Sequence, residues 1–252
     1  ILNLLIFATL ITQFYTINME TLNWDINTYI VMGQDVLRGN LPYENHFDNK
    51  GPLFYFFYSI PVSFKNLHII RVFNDLVLGF LICLIYIISK KLNPSLPKLY
   101  LLLPSFYFLL YMSYPIGHAG MSEIYCLVFI GLGINSGISM NRNKFSLFKT
   151  GLYFSISYLT SPSVVLLIST LSILIIIKNI KGKKLFEIIY FIIGAITPLA
   201  ILMTIYASKN LLYELIFTLF IFPVIYTTSQ NQINTRVFID YLTDYLYLEN
   251  YF

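Results

Sequence analysis

Charged residues are scarce in this chain of 252 residues. They make up 11% of the sequence, whereas soluble domains carry roughly 25%. This scarcity excludes an ordinary soluble domain. The mean hydropathy of +0.72, together with several long apolar runs, places the chain in the membrane class. Its basic residues lie in short clusters between those runs, which argues against a nucleic-acid partner.

Cysteine and short functional motifs are scarce too. The two cysteines, Cys83 and Cys126, lie within apolar runs, where cysteine packs as a small buried hydrophobic side chain. The sequence contains no C-x-x-C motif, no Cys/His metal spacing and no N-x-S/T sequon, which excludes the usual zinc and dithiol motifs. Residues 1–17 lack a charged leader and a cleavage site, so they predict a span and not a signal peptide. We expect a fragment that begins in or at its first span and lacks part of its C-terminal region.

Long apolar runs dominate what is present. They predict an all-α fold, a polytopic transmembrane helical bundle of about seven spans, because about 20 apolar residues cross a bilayer. The chain divides into span 1 (1–17), an outer loop with interfacial helices (18–66), the remaining spans (67–208) and an outer-face segment (209–252). The remaining spans are expected at 67–89, 100–114 with a break at Pro104, 124–140, 145–178 and 188–207.

Two of these regions allow alternatives. Thr160-Ser161-Pro162 interrupts 145–178, so either two short spans or a re-entrant pair fits. Residues 211–228 fit either an eighth span or an interfacial segment. Farther on, helical apolar spacing over 237–248 predicts an amphipathic helix on the outer surface.

The distribution of charge predicts the orientation. Three turns, on every second connection, hold most of the basic residues, with only Glu187 acidic beside them. The positive-inside rule places these turns in the cytoplasm and the alternate connections, with nearly all the acidic residues, outside. The basic residues of the three turns are Lys90, Lys91, Lys98, Arg142, Lys144, Lys149, Lys178, Lys181, Lys183 and Lys184.

The longest polar interruption in the N-terminal half is the stretch 23–53. Apolar residues recur there at helical spacing from Ile26 to Leu37, which predicts a short amphipathic helix on the membrane surface. Gly39-Asn40 ends this helix, and Pro52 begins a second interfacial helix over 51–64. The polar face of the first helix is expected to hold Asn27, Gln34, Asp35 and Arg38, and the acidic residues of the stretch are Asp25, Asp35, Glu44 and Asp48.

Asp25 is the first candidate functional residue, because it follows Trp24, an interfacial anchor. A carboxylate at headgroup level could act as a general base, although Asp25 would equally suit a helix N-cap. Lys50 could pair with a lipid phosphate or simply reach the headgroups. His118 and Glu123 belong to the next outer turn. They are either functional groups at the membrane edge or residues of a solvated loop. Two carboxylates and a histidine from these loops could hold a divalent cation.

Arg71 and Asp75 begin the span at 67–89. Their i,i+4 spacing allows an ion pair near the outer interface.

The run from Trp24 to Leu53 reads W-D-x-x-x-Y-x-x-x-G-x-x-x-L-x-G-x-L-P-Y-x-x-x-F-D-x-K-G-P-L. It resembles the first outer loop of the GT-C glycosyltransferases, in the branch of bacterial dolichyl-phosphate-mannose protein mannosyltransferase-like and lipid A aminoarabinose transferase-like proteins. The turn from His118 to Glu123 and the segment from Gly151 to Pro162 are similar to later parts of that family. The chain departs from the family at two places. It has Asp25-Ile26 where the family commonly has Asp-Glu, and Ser161 before Pro162 where the family often has a basic residue.

The resemblance implies an inverting glycosyltransferase with Asp25 as its catalytic base. The donor would be a polyprenyl-phosphate-linked sugar, and the acceptor a glycan, lipid or protein on the outer face of the cell (inner) membrane. Lys50 or Arg71 would replace the missing phosphate contact. The expected substrate-binding residues are Tyr43, Asp48, Lys50, Arg71, His118 and Glu123. The alternatives are a transporter or flippase of lipid-linked sugars, and a non-catalytic membrane scaffold.

Overall fold

The structure is a computed structural model that describes residues 1–17, 24–112, 120–138, 144–181 and 185–226. All regular secondary structure in these ranges is helical, which confirms the all-α class. The helices are α1 (Leu2–Ile17), α2 (Trp24–Leu37), α3 (Pro52–Val62), α4 (Leu67–Leu92), α5 (Lys98–Tyr111), α6 (Ser122–Gly137), α7 (Lys144–Thr160), α8 (Val165–Lys181), α9 (Leu185–Ser208) and α10 (Leu212–Ile216).

Two helices of the described residues are long and apolar enough to cross a membrane, judged by length and composition. They lie at Leu67–Leu92 and Phe186–Ser208. Several of the others are shorter apolar helices, α1, α5 and α6 among them. The described part of the chain is therefore helical, with two helices that reach the length and apolar composition of a membrane span.

Helix α2 follows the predicted pattern with one exception. Tyr29 and Met32 are buried on its inner face, and the helix ends before Gly39, whose φ of 89° is readily accessible to glycine. Asp35, however, was expected on the solvated face and is only 5% exposed. That expectation is wrong because the Asp35 carboxylate is held by His46 Nδ1 at 2.6 Å and Arg38 Nη1 at 3.4 Å.

Helix α3 begins at Pro52, as predicted, since proline suits the first turn of a helix. Phe54, Tyr55 and Tyr58 are completely buried in it. Their rings pack against α2 and α6, with Phe54 5.3 Å from Tyr125 between ring centroids. Helix α3 is therefore part of an aromatic core that it shares with α2 and α6.

Helix α4 is the central support. It begins with Asn66 as N-cap, whose side chain accepts hydrogen bonds from the backbone N–H groups of His68 and Ile69, and it ends three residues beyond the predicted Ser89. It packs against α1, α5 and α6 around a second apolar core that includes Leu78 and Ile82. Cys83 and Cys126 are buried free thiols, as predicted.

Helix α5 corrects one expectation. Pro104 lies inside a continuous helix and does not break it. In an apolar bundle, neighbouring helices and local adjustment tolerate the hydrogen bond that proline removes.

The region 145–178 forms two helices, α7 and α8, separated at Ser161-Pro162 by a short 3₁₀ turn. Helix α7 packs mainly on α9 through two glycines. A Cβ at Gly151 would overlap the carbonyl oxygen of Phe191, and one at Gly194 would overlap that of Phe148. Small residues thus let the two backbones touch, as is common between membrane helices.

The segment after α9 is helical as far as residue 226. It comprises α10 and a π-helical turn at Phe217–Ile221, and Leu215 and Leu219 join the aromatic core. The amphipathic helix predicted over 237–248 lies outside the described residues.

Candidate active site

The site is built around the first turn of α2. Asp25 is the second residue of that helix, so it lies inside the first turn and is not the N-cap. A carboxylate in this position is stabilised by the helix dipole. The next residue, Ile26, packs against Gly120, its Cδ1 lying 3.3 Å from where a Cβ would stand. Asp25 is thereby held beside the turn that leads into α6.

Tyr29, one turn along α2, is a buried phenol whose pKa is influenced by three carboxylates. Its side chain is 1% exposed, and its hydroxyl has no hydrogen-bond partner among the described residues. Burial, and then the charges of Asp25, Glu123 and Asp48, raise the pKa of Tyr29 well above its usual value. We call Asp25, Asp48 and Glu123 the carboxylate cluster. Its three members come from α2, the following loop and α6.

Lys50 supplies a cation at this cluster. Its Nζ lies 3.2 Å from Glu123 Oε1, and the side chain of Lys50 is 20% exposed while that of Glu123 is 44% exposed. The lysine predicted to meet a lipid phosphate is thus already paired with a carboxylate. Because the pair is only partly buried, an incoming anion could compete with Glu123 for the ammonium group.

The loop that carries Asp48 and Lys50 is held by tyrosines. The Tyr55 hydroxyl donates to Asp48 Oδ2 at 2.6 Å, and the Tyr43 hydroxyl donates to the backbone carbonyl of Lys50. Burial raises the pKa of both phenols well above their usual values, so both remain donors at neutral pH. Tyr43 was expected to bind substrate. In the structure it is 7% exposed and supports the loop from beneath.

Gly51 joins this loop to α7. Its backbone N–H donates to the carbonyl oxygen of Thr160 at 3.0 Å. A Cβ on Gly51 would overlap the carbonyl oxygen of Leu159, so the close approach requires glycine. The three sequence segments that carry the family resemblance therefore meet in space: the first loop, the turn ending at Glu123 and the end of α7.

A buried amide connects the helices behind the cluster. Asn74, on α4, is 3% exposed. Its Oδ1 accepts from the Tyr125 hydroxyl at 2.6 Å, and its Nδ2 donates to the Tyr58 hydroxyl at 3.3 Å. This network ties α3, α4 and α6 together, and sequence reasoning missed it because its members lie 16 and 51 residues apart. Tyr29 was missed as well, since helical spacing marked it only as an apolar-face residue.

The other predicted residues lie elsewhere. Arg71 and Asp75 are buried on α4, 8% and 1% exposed, one helical turn apart. Glu44 has a half-buried carboxylate, which accepts from the backbone N–H of Leu41 at 2.8 Å and lies 3.8 Å from Lys209 Nζ. His118 lies outside the described residues.

The described residues contain no group of three or more His, Cys, Asp or Glu side chains placed to hold a metal ion. The three members of the carboxylate cluster each act electrostatically on Tyr29, but they are not among any such metal-binding group. The divalent cation considered from the sequence therefore has no ligand set within the described ranges.

Comparisons with known proteins return no match among family models, curated proteins or solved structures. What the site can do rests on its own residues. It offers three carboxylates, a buried tyrosine hydroxyl and a paired lysine at one end of an apolar helical bundle.

Proposed function

We propose that this protein is a membrane glycosyltransferase of the GT-C type, which moves a sugar from a polyprenyl-phosphate carrier to an acceptor. The observation that carries the proposal is the contact between Lys50 and Glu123, with Asp25 and Glu123 both acting electrostatically on the buried Tyr29. These residues come from two of the segments that resemble the family, and Gly51 docks the third against them.

The proposed topology has about seven spans, formed by α1 and α4–α9, with α2 and α3 at the interface. The charge on α4 supports this orientation. Lys90 and Lys91 lie in its last turn, about 24 Å along the axis from Asn74 at 1.5 Å per residue. If the lysines face the cytoplasm, the carboxylate cluster faces the outer side of the cell membrane.

The proposed chemistry assigns one step to each group. Asp25 takes the proton from an acceptor hydroxyl or amine, whose freed electron pair attacks the anomeric carbon of the donor sugar. The bond from that carbon to the phosphate oxygen breaks, and its electron pair leaves on the polyprenyl phosphate. The attack inverts the configuration at the anomeric carbon. Lys50 stabilises the phosphate by exchanging its contact with Glu123 for one with the leaving group.

The proposal assigns the carrier chain to an apolar groove of about 300 Å³. It lies between α3, α4 and α6, and its lining includes Phe57, Phe73, Phe129 and Tyr125. Tyr125 also belongs to the Asn74 network, so the groove reaches the back of the site. An isoprenoid chain gains free energy by burying its surface against such walls.

A transporter of lipid-linked sugars would need charged or broken helices near the midplane. In α4 the buried charges, Arg71 and Asp75, lie within the first nine residues, near the end that holds the site. This position favours a site at the membrane surface over a transport pathway.

The experiment compares Asp25→Asn with Glu44→Gln, which makes the same chemical change at a carboxylate that pairs with Lys209 and is not part of the carboxylate cluster. Purified protein in liposomes receives labelled polyprenyl-phosphate sugar, and both transfer and translocation are measured. Removal of a general base lowers transfer by at least about 100-fold, with inserted protein unchanged, while Glu44→Gln retains activity. Full transfer by Asp25→Asn would remove the assignment of the base. Translocation without transfer would indicate a transporter, and neither activity would indicate a scaffold.

A further inference from the structure

A second groove lies at the other end of α2. Its volume is about 510 Å³, and it runs between the C-terminal half of α2, the end of α3 and the start of α4. Arg38 and Asp25 are thirteen residues apart on and just after α2, which corresponds to about 20 Å along a helix. The groove is therefore separate from the carboxylate cluster and does not depend on the function proposed above.

The walls of this groove are mainly apolar. They include Ile30, Val62 and Ile70, of which Val62 and Ile70 are each 3% exposed. The rim is apolar too, since Leu37 is 50% exposed and Leu67 is 43% exposed. Phe64, beside the groove in sequence, is 60% exposed. Large apolar side chains grouped around an opening mark a surface that meets lipid or a partner.

The charge lining the groove has one sign. Its lining residues include two cations, Arg38 and Lys65, and no carboxylate. The side chain of Arg38 is 69% exposed and shares the nearby Asp35 carboxylate with His46. Lys65 is exposed and forms no ion pair with any residue in the described part of the chain. The carboxylate of Asp35 thus offsets the charge of Arg38, and the charge of Lys65 remains at the rim of the apolar groove.

We propose that this groove binds an anionic phospholipid. The phosphate lies against Lys65 and Arg38, and the upper part of an acyl chain lies between Ile30, Val62 and Ile70. A cation at the rim attracts an anionic headgroup, and the apolar walls bind the chain. A free phosphate would use the cations alone, so the walls make a lipid the ligand.

The test uses the purified full chain in detergent with fluorescent phosphatidylglycerol as the probe and fluorescent phosphatidylcholine as the zwitterionic control. Phosphatidylglycerol is expected to bind more tightly. Lys65→Gln should weaken its binding about fivefold, the effect of one cation near a lipid surface, whereas Lys65→Arg should retain it. Leu67→Trp, a substitution at an exposed apolar position, should obstruct the groove and weaken binding of the lipid.

Lys98→Gln is the matched control, because Lys98 is an exposed lysine at the start of α5 away from the groove. It should leave phosphatidylglycerol binding unchanged. Equal loss in Lys65→Gln and Lys98→Gln, or equal binding of the two lipids, would overturn the proposal. The proposal would also be overturned if glycerol phosphate displaced the fluorescent probe at the same concentration as unlabelled phosphatidylglycerol, since that would show a site for free phosphate.

Discussion

Replacing Gly51 with alanine tests whether the first outer loop is fixed against α7. The added Cβ would overlap the carbonyl oxygen of Leu159, and backbone atoms cannot rotate away as a flexible side chain can. The loop must shift, which weakens the 3.0 Å hydrogen bond from the Gly51 N–H to Thr160. Overpacking costs about 1–3 kcal/mol and the hydrogen bond about 1 kcal/mol, so the loss of folding free energy should be about 2–4 kcal/mol.

Gly79→Ala is the matched control for this substitution. Gly79 lies within α4, and the nearest atoms to a Cβ there are 3.7 Å away, an ordinary contact distance. Alanine should be neutral or stabilise the helix by up to about 1 kcal/mol. The measurement is thermal unfolding in detergent, followed by circular dichroism. The unfolding midpoint of Gly51→Ala should lie below that of the unsubstituted protein by on the order of 5–10 °C. Equal midpoints for the two variants would refute the close approach of Gly51 to α7.

Two further predictions concern the tyrosines and the ion pair. Burial raises the pKa of Tyr58 to about 12, whereas an unfolded tyrosine titrates near pH 10. Stability should therefore be constant below about pH 10 and fall as the pH rises towards 12, with tyrosinate absorbance appearing as helicity is lost. Early tyrosinate absorbance in a folded protein would contradict this. In a double-mutant cycle, Lys50→Met and Glu123→Gln should show a coupling of about 1 kcal/mol or less that shrinks with added salt. A coupling insensitive to salt would contradict a partly exposed pair.

Helical periodicity and terminal residues were enough to predict most helices. The apolar spacing from Ile26 to Leu37, the glycine at 39 and the proline at 52 each act within a few residues, and the structure confirms the helices they predict. Pro104 failed as a predictor because the neighbouring helices, which sequence does not show, decide whether a proline ends an apolar helix.

The site was less predictable because its contacts are distant in sequence. Asp35 looks solvated on its own helix, and its pairing with His46, eleven residues away, cannot be read from the helix alone. Likewise, nothing local to Gly51 indicates that Leu159 will pack against it. Asp25, Lys50 and Glu123 were named from type, position and resemblance. Of the tyrosines near them, Tyr43 was named only as a substrate-binding residue, and Tyr29 and Tyr55 were not named as site residues.

The side-chain amide of Asn74 gives its hydrogen-bond network a direction. Its oxygen accepts from Tyr125 and its nitrogen donates to Tyr58, so the hydroxyl hydrogen of Tyr58 remains to be donated elsewhere. The phenol of Tyr58 lies close enough to Tyr29 to raise the pKa of that residue further. An aspartate at position 74 would accept from both tyrosines and turn the Tyr58 hydrogen back towards α4. A single nitrogen atom thus decides whether the hydroxyl hydrogen of Tyr58 points away from Asn74 or towards it.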